Sequence, residues 1–261
     1  MRVAVAGGTG LVGRHLVNEL REAGHQPVVL SRSAGVDLLA GENVIDALQG
    51  VEAVVDVTNT PAIDPDTARA FFGGVTRNLL EAERATGVQH HLVLSIVGLD
   101  RVKGNGHYAG KRLQEQTVRE SGVPATIVRA TQFFQFAEML VRWTRSGDGA
   151  QLPPLLVQPL APRDLARVLA TLATAGEAGG MIEVAGPEPQ DLVDMARRAL
   201  AARGESLRLQ PTWRGLFGPE MAGEALLPGD EAVITAMTFE DWLGASGAAD
   251  DEIDAGKGSQ P

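Results

Sequence analysis

The sequence predicts an α/β fold, a doubly wound parallel sheet followed by a smaller lobe. Three observations carry that reading. Five short runs, at 2–6, 27–31, 53–57, 91–95 and 125–130, are almost continuously apolar ("AVVDV", "HLVLS", "TIVRA"), the pattern of strands covered on both faces. Longer stretches of helical period lie between them, at 10–23, 64–86 and 108–121, and each runs into a glycine, Gly24, Gly87 or Gly122, where a left-handed residue ends a helix. The first strand meets the first helix through a glycine cluster, "GGTGLVG". Repeated strand–helix–strand units of this kind build parallel sheets with helices on both faces.

Taken in order, the first strand enters the glycine turn and the helix at 10–23, and the second strand ends in "LSRS". The link to the third strand is short, with one or two helical turns at 44–49; the long helix at 64–86, the fourth strand, the helix at 108–121 and the fifth strand follow. The pattern changes after Phe136. A Gly/Pro-rich break, "SGDGAQLPP", precedes a helix at 162–175, a strand near 181–184, a helix at 189–203 and a short helix at 239–243, with "LLVQPL" as a further strand. The division expected is a core at 1–145, a smaller substrate-binding lobe at 146–246 and a disordered acidic tail at 247–261, the last because small and acidic residues cannot bury enough surface to order the chain.

Composition narrows the function. A formal charge of −10 argues against nucleic acid and anionic membrane as partners, since both want a basic surface. Zero cysteines exclude disulfides, thiolate nucleophiles and cysteine-bound metal. No apolar run approaches the roughly 18 residues of a membrane span and no leader is visible, so the reading is a cytoplasmic protein, monomer or homodimer, with a small-molecule substrate. His90 and His91 open the fourth strand without convergent ligands, so no metal site is expected and both are read as surface or sheet-end residues.

Gly7, Gly10 and Gly13 form G-x-x-G-x-x-G between a strand and a helix, the context in which a backbone approaches a pyrophosphate at a helix N-terminus. The expected phosphate-side residues are Gly7, Thr9, Gly10, Leu11, Val12 and Gly13. The second strand ends in Ser31, Arg32 and Ser33 with no acid. A cation with flanking hydroxyls suits a ribose 2′-phosphate, so NADP(H) is the expected cofactor, with NAD(H) the alternative.

The segments "VAGGTGLVGRHLV", "VVLSRS", "LVLSIVGLD", "YAGKRLQEQ" and "ATIVRATQFF" resemble, in order and spacing, the atypical short-chain dehydrogenases/reductases, in their NmrA-like, NAD(P)H-binding branch. The resemblance covers roughly 1–140, with looser likeness in "QPLAPRDLARVLA" and "IEVAGPE". It implies a Rossmann-type core with a small C-terminal substrate-binding lobe, Asp37 and Leu38 near the adenine, and Thr58 and Asn59 along the cofactor. It also implies a catalytic Ser, a Tyr, and a Lys four residues after the Tyr. Ser95 ends the fourth strand, but the helix reads "HYAGKR": His107 lies four before Lys111, whereas Tyr108 lies three before it and four before Arg112. Positions i+3 and i+4 share a helix face, so Tyr108 or His107 is the candidate proton donor, with Lys111 holding the ribose. Gln132, Phe133 and Phe136 follow the fifth strand, where ligands of open α/β sheets bind, and with Trp213 are expected to line an apolar substrate pocket. Arg129, in a buried strand, is expected to pair with a carboxylate such as Asp164 or with backbone.

The function expected is NADP(H)-dependent oxidation or reduction of a small carbonyl, alcohol or quinone-like molecule. A non-catalytic redox sensor and a nucleotide-sugar epimerase or dehydratase remain as alternatives on the same fold.

Overall fold

The computed structural model describes residues 1–176, 179–215 and 217–246; the expected acidic tail, 247–261, lies outside the described residues. The chain forms strands β1 (Arg2–Ala6), β2 (Gln26–Leu30), β3 (Ala53–Asp56), β4 (His90–Ile96), β5 (Ala125–Ala130), β6 (Arg145–Ser146), β7 (Gly149–Leu152), β8 (Leu156–Val157), β9 (Met181–Ala185), β10 (Gln190–Asp191), β11 (Arg208–Pro211) and β12 (Val233–Ile234). The helices are α1 (Leu11–Glu22), α2 (Val44–Ala47), α3 (Pro65–Thr86), α4 (Gly106–Glu120), α5 (Phe136–Thr144), α6 (Pro162–Thr174), α7 (Leu192–Ala202) and α8 (Phe239–Ser246).

Seven strands form one sheet in the order β12-β9-β5-β4-β3-β1-β2, every neighbouring pair parallel. Apolar side chains leave both faces. Val3, Val5, Val55, Leu92 and Val128 pack with Leu16 and Leu20 of α1 and Leu165 and Leu169 of α6. Ala4, Ala6 and Val54 face Val75 and Leu79 of α3. Both-face burial is why these strands read as unbroken apolar runs.

The chain reverses direction across the sheet at β1, whose neighbours are β2 and β3. Crevices for ligands open at such switch points, outside the carboxyl ends of the strands. Here Gly7 donates to the Leu30 carbonyl at 3.3 Å and Val57 to that of Ala6 at 3.0 Å, tying the three strand ends together.

The second half differs from expectation in four ways. β9 and β12 extend the central sheet and α6 covers its face, so the core does not stop at residue 145. The expected Gly/Pro break contains an antiparallel hairpin, β6–β7, extended by β11 into a three-stranded sheet. Of "LLVQPL" only β8 is strand, paired with β10. The segment after Phe136 is helical, and Leu140 and Val141 of α5 join Met195 and Ala196 of α7 in a separate lobe core. No helix among the described residues is long and apolar enough to cross a membrane.

Candidate functional site: a nucleotide crevice and an aromatic lobe

The crevice is built on the glycine turn. Gly7 has φ +80°, the left-handed region, and a Cβ there would sit 3.0 Å from the Val57 carbonyl oxygen. A Cβ on Gly13 would run into the Gly7 carbonyl oxygen and lie 2.6 Å from Gly8 Cα. Only hydrogen at both positions lets α1 rise directly behind β1. Gly10 caps α1 without a side-chain bond, and the first turn carries no acid, so the leading N–H groups and the positive dipole end stay open to an anion. Thr9 is exposed and Leu11 half-buried, whereas Val12 is buried in the core; its side chain serves packing, and only its backbone belongs to the turn.

On the rim at β2, Arg32 is exposed and has no partner among the described residues. Ser31 Oγ accepts from Ala34 N at 3.3 Å and shares a 2.9 Å hydrogen bond with Ser33 Oγ. Asp37 is not a free carboxylate: it accepts from Leu39 N at 2.9 Å and Ala40 N at 3.0 Å. Leu38 does not present its side chain to the rim; it is packed with Leu30, Val36 and Val44. A cradle closed to a Cβ at Gly7 and Gly13, open helix amides and one guanidinium free among the described residues fit a phosphorylated dinucleotide.

The opposite wall is the turn after β3. Asp56 Oδ1 accepts from Thr58 N at 2.9 Å and Thr58 Oγ1 at 2.6 Å, which commits the Thr58 hydroxyl to its own turn; Asn59 is exposed. Behind the turn lies Lys111, buried, its Nζ donating to Leu94 O and Gln114 Oε1, both at 2.8 Å, and to Thr58 O at 3.4 Å. The ammonium lies 4.3 Å from the centre of the Phe72 ring. Burial lowers its pKa to about 8, against the pull of Asp56 and Glu115 in the other direction.

The structure separates the two helix registers. His107 shares the Lys111 face, its ring 5.3 Å from that of Phe72. Burial and then the Lys111 charge lower its pKa to about 4, opposed by its hydrogen bond to the Thr60 backbone. The neutral-pH titration expected of a histidine acid is therefore absent at His107. Tyr108 turns the other way, into the lobe core with Leu99, Val102 and Phe134. Burial raises its pKa, and the Gln132 side chain lies beside its hydroxyl. No hydrogen bond joins Tyr108 to Lys111 among the described residues.

Ser95 is buried on the α4 side of the sheet, in register with Arg129, its hydroxyl near Glu115 but without a hydrogen-bond partner among the described residues; its neighbour Ile96 packs against the lobe core. Arg129 does not pair with Asp164. It binds Glu115 through Nε and Nη2, each at 2.8 Å, and Asp100 through Nη1 at 2.6 Å, because its position in β5 faces α4, while Asp164 in α6 lies on the other side and pairs with Arg167. His91 is not a surface residue: it is fully buried, with Nδ1 2.7 Å from Glu83 Oε1. His90 is buried too, its Nε2 3.0 Å from Thr126 Oγ1.

Of the expected pocket aromatics, Phe133 and Phe136 are half-buried, and Phe136 packs edge-on against Phe217 at 5.7 Å. Trp213 packs on the same lobe core. Gln132 carries an Oε1 that is buried without a partner. Sequence reasoning missed Asp56, Gln114 and Phe72. Asp56 had a visible signal, a lone acid closing a buried strand in "AVVDV", which requires a partner.

Strand order and crevice together define a Rossmann-type dinucleotide-binding protein. The sequence profile of the NAD(P)H-binding family matches residues 7–175, and the chain belongs to that family of NAD(P)H-dependent oxidoreductases, in keeping with the atypical short-chain resemblance. It is 31% identical over 224 residues to a (4-alkanoyl-5-oxo-2,5-dihydrofuran-3-yl)methyl phosphate reductase of Streptomyces griseus, covering 80% of this chain and 76% of that protein. Among solved structures it is similar to the Citrobacter sp. triphenylmethane reductase complexed with NADP(H), at 17% identity and TM-score 0.71 over 94% of this chain and 100% of that one. An NADPH-dependent quinone oxidoreductase of Escherichia coli gives 17% identity and TM-score 0.70 over 94% and 99%.

Proposed function

We propose that the chain reduces a small, largely apolar carbonyl or quinone-like substrate with NADPH, with Tyr108 as proton donor and Gln132 orienting the substrate oxygen. The observation that supports this is the nearness of the Gln132 side chain to the Tyr108 hydroxyl, in segments that follow β4 and β5 in the chain, with Phe136 packed on the lobe core that holds Tyr108. The bound nicotinamide supplies the hydride. Gly7, Gly10, Gly13 and Arg32 hold the phosphates, and Lys111 holds the turn at Thr58 on the nicotinamide side. Burial raises the Tyr108 pKa, so the phenol is the protonated form at neutral pH and gives up its proton only to a strong base such as a developing alkoxide. The likeness to a reductase of a (4-alkanoyl-5-oxo-2,5-dihydrofuran-3-yl)methyl phosphate supports a carbonyl-bearing substrate.

The test is NADPH oxidation by the purified protein against aldehydes, ketones, quinones and unsaturated lactones. Tyr108→Phe should keep NADPH affinity and lower turnover by about 10²–10⁴-fold, the usual contribution of a general acid. Since the pKa of His107 is about 4, turnover should show no His107 titration between pH 5.5 and 7.5. A sensor reading is favoured by one observation, that all three Lys111 donors end on protein acceptors. It expects tight NADPH binding with no turnover across the panel, and undiminished turnover in Tyr108→Phe removes that residue from the chemistry.

A further inference from the structure

Between Lys111 and the strand β3 stands a residue to which no role has yet been given. Gln114 is fully buried, three positions after Lys111 on α4. Its Oε1 accepts from Lys111 Nζ at 2.8 Å, and its Nε2 donates to Asp56 Oδ2 at 2.8 Å. The other Asp56 oxygen holds the N–H and hydroxyl of Thr58. The two charges fix which way the amide points, since the flipped amide would set N–H against ammonium and oxygen against carboxylate. Neither a carboxylate nor a cation in place of Gln114 could serve both neighbours.

We propose that Gln114 is a positioning residue of the nucleotide crevice: its amide, clamped between Asp56 and Lys111, holds the ammonium and the Thr58 turn as one unit. With Leu94 O and Gln114 taking two donors at 2.8 Å, the third, at 3.4 Å from Thr58 O, is the loosest and is directed at the crevice wall. The lysine is aimed without being exposed, and its charged form is favoured where burial alone would discharge it. The inference rests on the reading of Lys111 as the cation of the nicotinamide side. The charged and titratable groups around Lys111 are Asp56 from β3 and Glu115 and His107 from α4, with Phe72 of α3 closing the remaining side.

The chain has three lysines, Lys103, Lys111 and Lys257, so protein labelled at lysine Cε and Nζ gives three side-chain NMR signals, and Lys111→Arg identifies that of Lys111. In the parent this signal should titrate at about 8. Gln114→Met removes the acceptor and should lower the proton affinity of Lys111 by about tenfold or more, the scale of a charge-assisted hydrogen bond. Asp56→Asn should lower it as well, and the double variant should fall short of the sum, because part of the carboxylate's effect reaches the lysine through the amide, beside its direct attraction. NADPH affinity at pH 8 should drop in Gln114→Met and recover in part in Gln114→Asn, which keeps the amide one carbon shorter. A Lys111 midpoint that stays at the parent value in both Gln114→Met and Gln114→Asn, with only the melting temperature lowered, makes Gln114 a packing residue and overturns the proposal. If Gln114→Met does not fold, Gln114→Asn and Asp56→Asn decide by the same midpoint. Undiminished NADPH binding by Lys111→Met would instead remove the lysine from the nucleotide site, while the midpoint still decides what Gln114 does.

Discussion

Arg32 and His91 show how differently single residues can be read. Arg32 is exposed and without a partner among the described residues, and Asp37, five residues on, is spent on its own turn. A charge-assisted contact to a 2′-phosphate is worth about 1.5–3 kcal/mol. Arg32→Asp should therefore weaken NADPH by about ten- to a hundredfold and favour NADH. Calorimetric titration checks this, and equal parent affinities for the two cofactors would remove the argument. That arginine was legible because it ends a strand whose neighbour is the glycine turn. His91 was not, since nothing local distinguishes a buried histidine from an exposed one; its partner Glu83 comes from α3, one turn before that helix ends. Burial opposes the charged form of His91, but the Glu83 carboxylate raises its pKa above the usual 6.5. Its stabilisation is thus complete below about pH 6.5 and is lost as pH rises through the folded-state value. His91→Leu strands a buried carboxylate and should cost about 3–5 kcal/mol in denaturant melts at pH 6. The His91→Leu, Glu83→Leu double variant should recover most of that, and a double variant no better than the single would sink the account.

At the scale of elements, the βα junction was written in the sequence because its constraint is local. Whatever follows β1, the Gly7 carbonyl sits where a Cβ of residue 13 would be. Gly13→Ala should push α1 off β1, with a cost of about 1–3 kcal/mol for overpacking and a loss of NADPH affinity larger than the change in stability explains. Unchanged melting temperature and affinity would show that the turn has slack. The helix α4 gives the opposite case. Its residues were legible as a face, His107, Tyr108 and Lys111 within two turns, but spacing could not say which of them look the same way. Packing decides: His107 and Lys111 meet Phe72 of α3, while Tyr108 meets the lobe. The helix α5 was missed because its apolar stripe follows directly on the aromatic run after β5, and a segment with that many aromatic residues reads as pocket lining as readily as helix.

For the whole molecule, the lobe and the sheet are not separable pieces. β9 pairs with β5 from Ile127 to Ala130, and α6 supplies Leu165 and Leu169 to the core over β3 and β4. A fragment ending at residue 145 would leave that face and that edge bare, so it should show no cooperative melt and no NADPH binding. The full chain should unfold in one transition, with near- and far-ultraviolet signals coincident. A folded, cofactor-binding fragment would refute this. The sequence by itself determined the parallel sheet, its first five strands and the glycine cradle, and it set the expectation of a phosphorylated cofactor. Each follows from patterns confined to one segment: apolar runs, a glycine spacing, a strand end without an acid. Only the tertiary structure decided which side of α4 faces the Thr58 turn, that Arg129 binds Glu115 and Asp100, that Gln114 bridges Asp56 and Lys111, and that residues after 180 complete the sheet. These are pairings between groups far apart in the chain, and a buried charge shows in sequence only that it needs a partner, not where the fold will bring one.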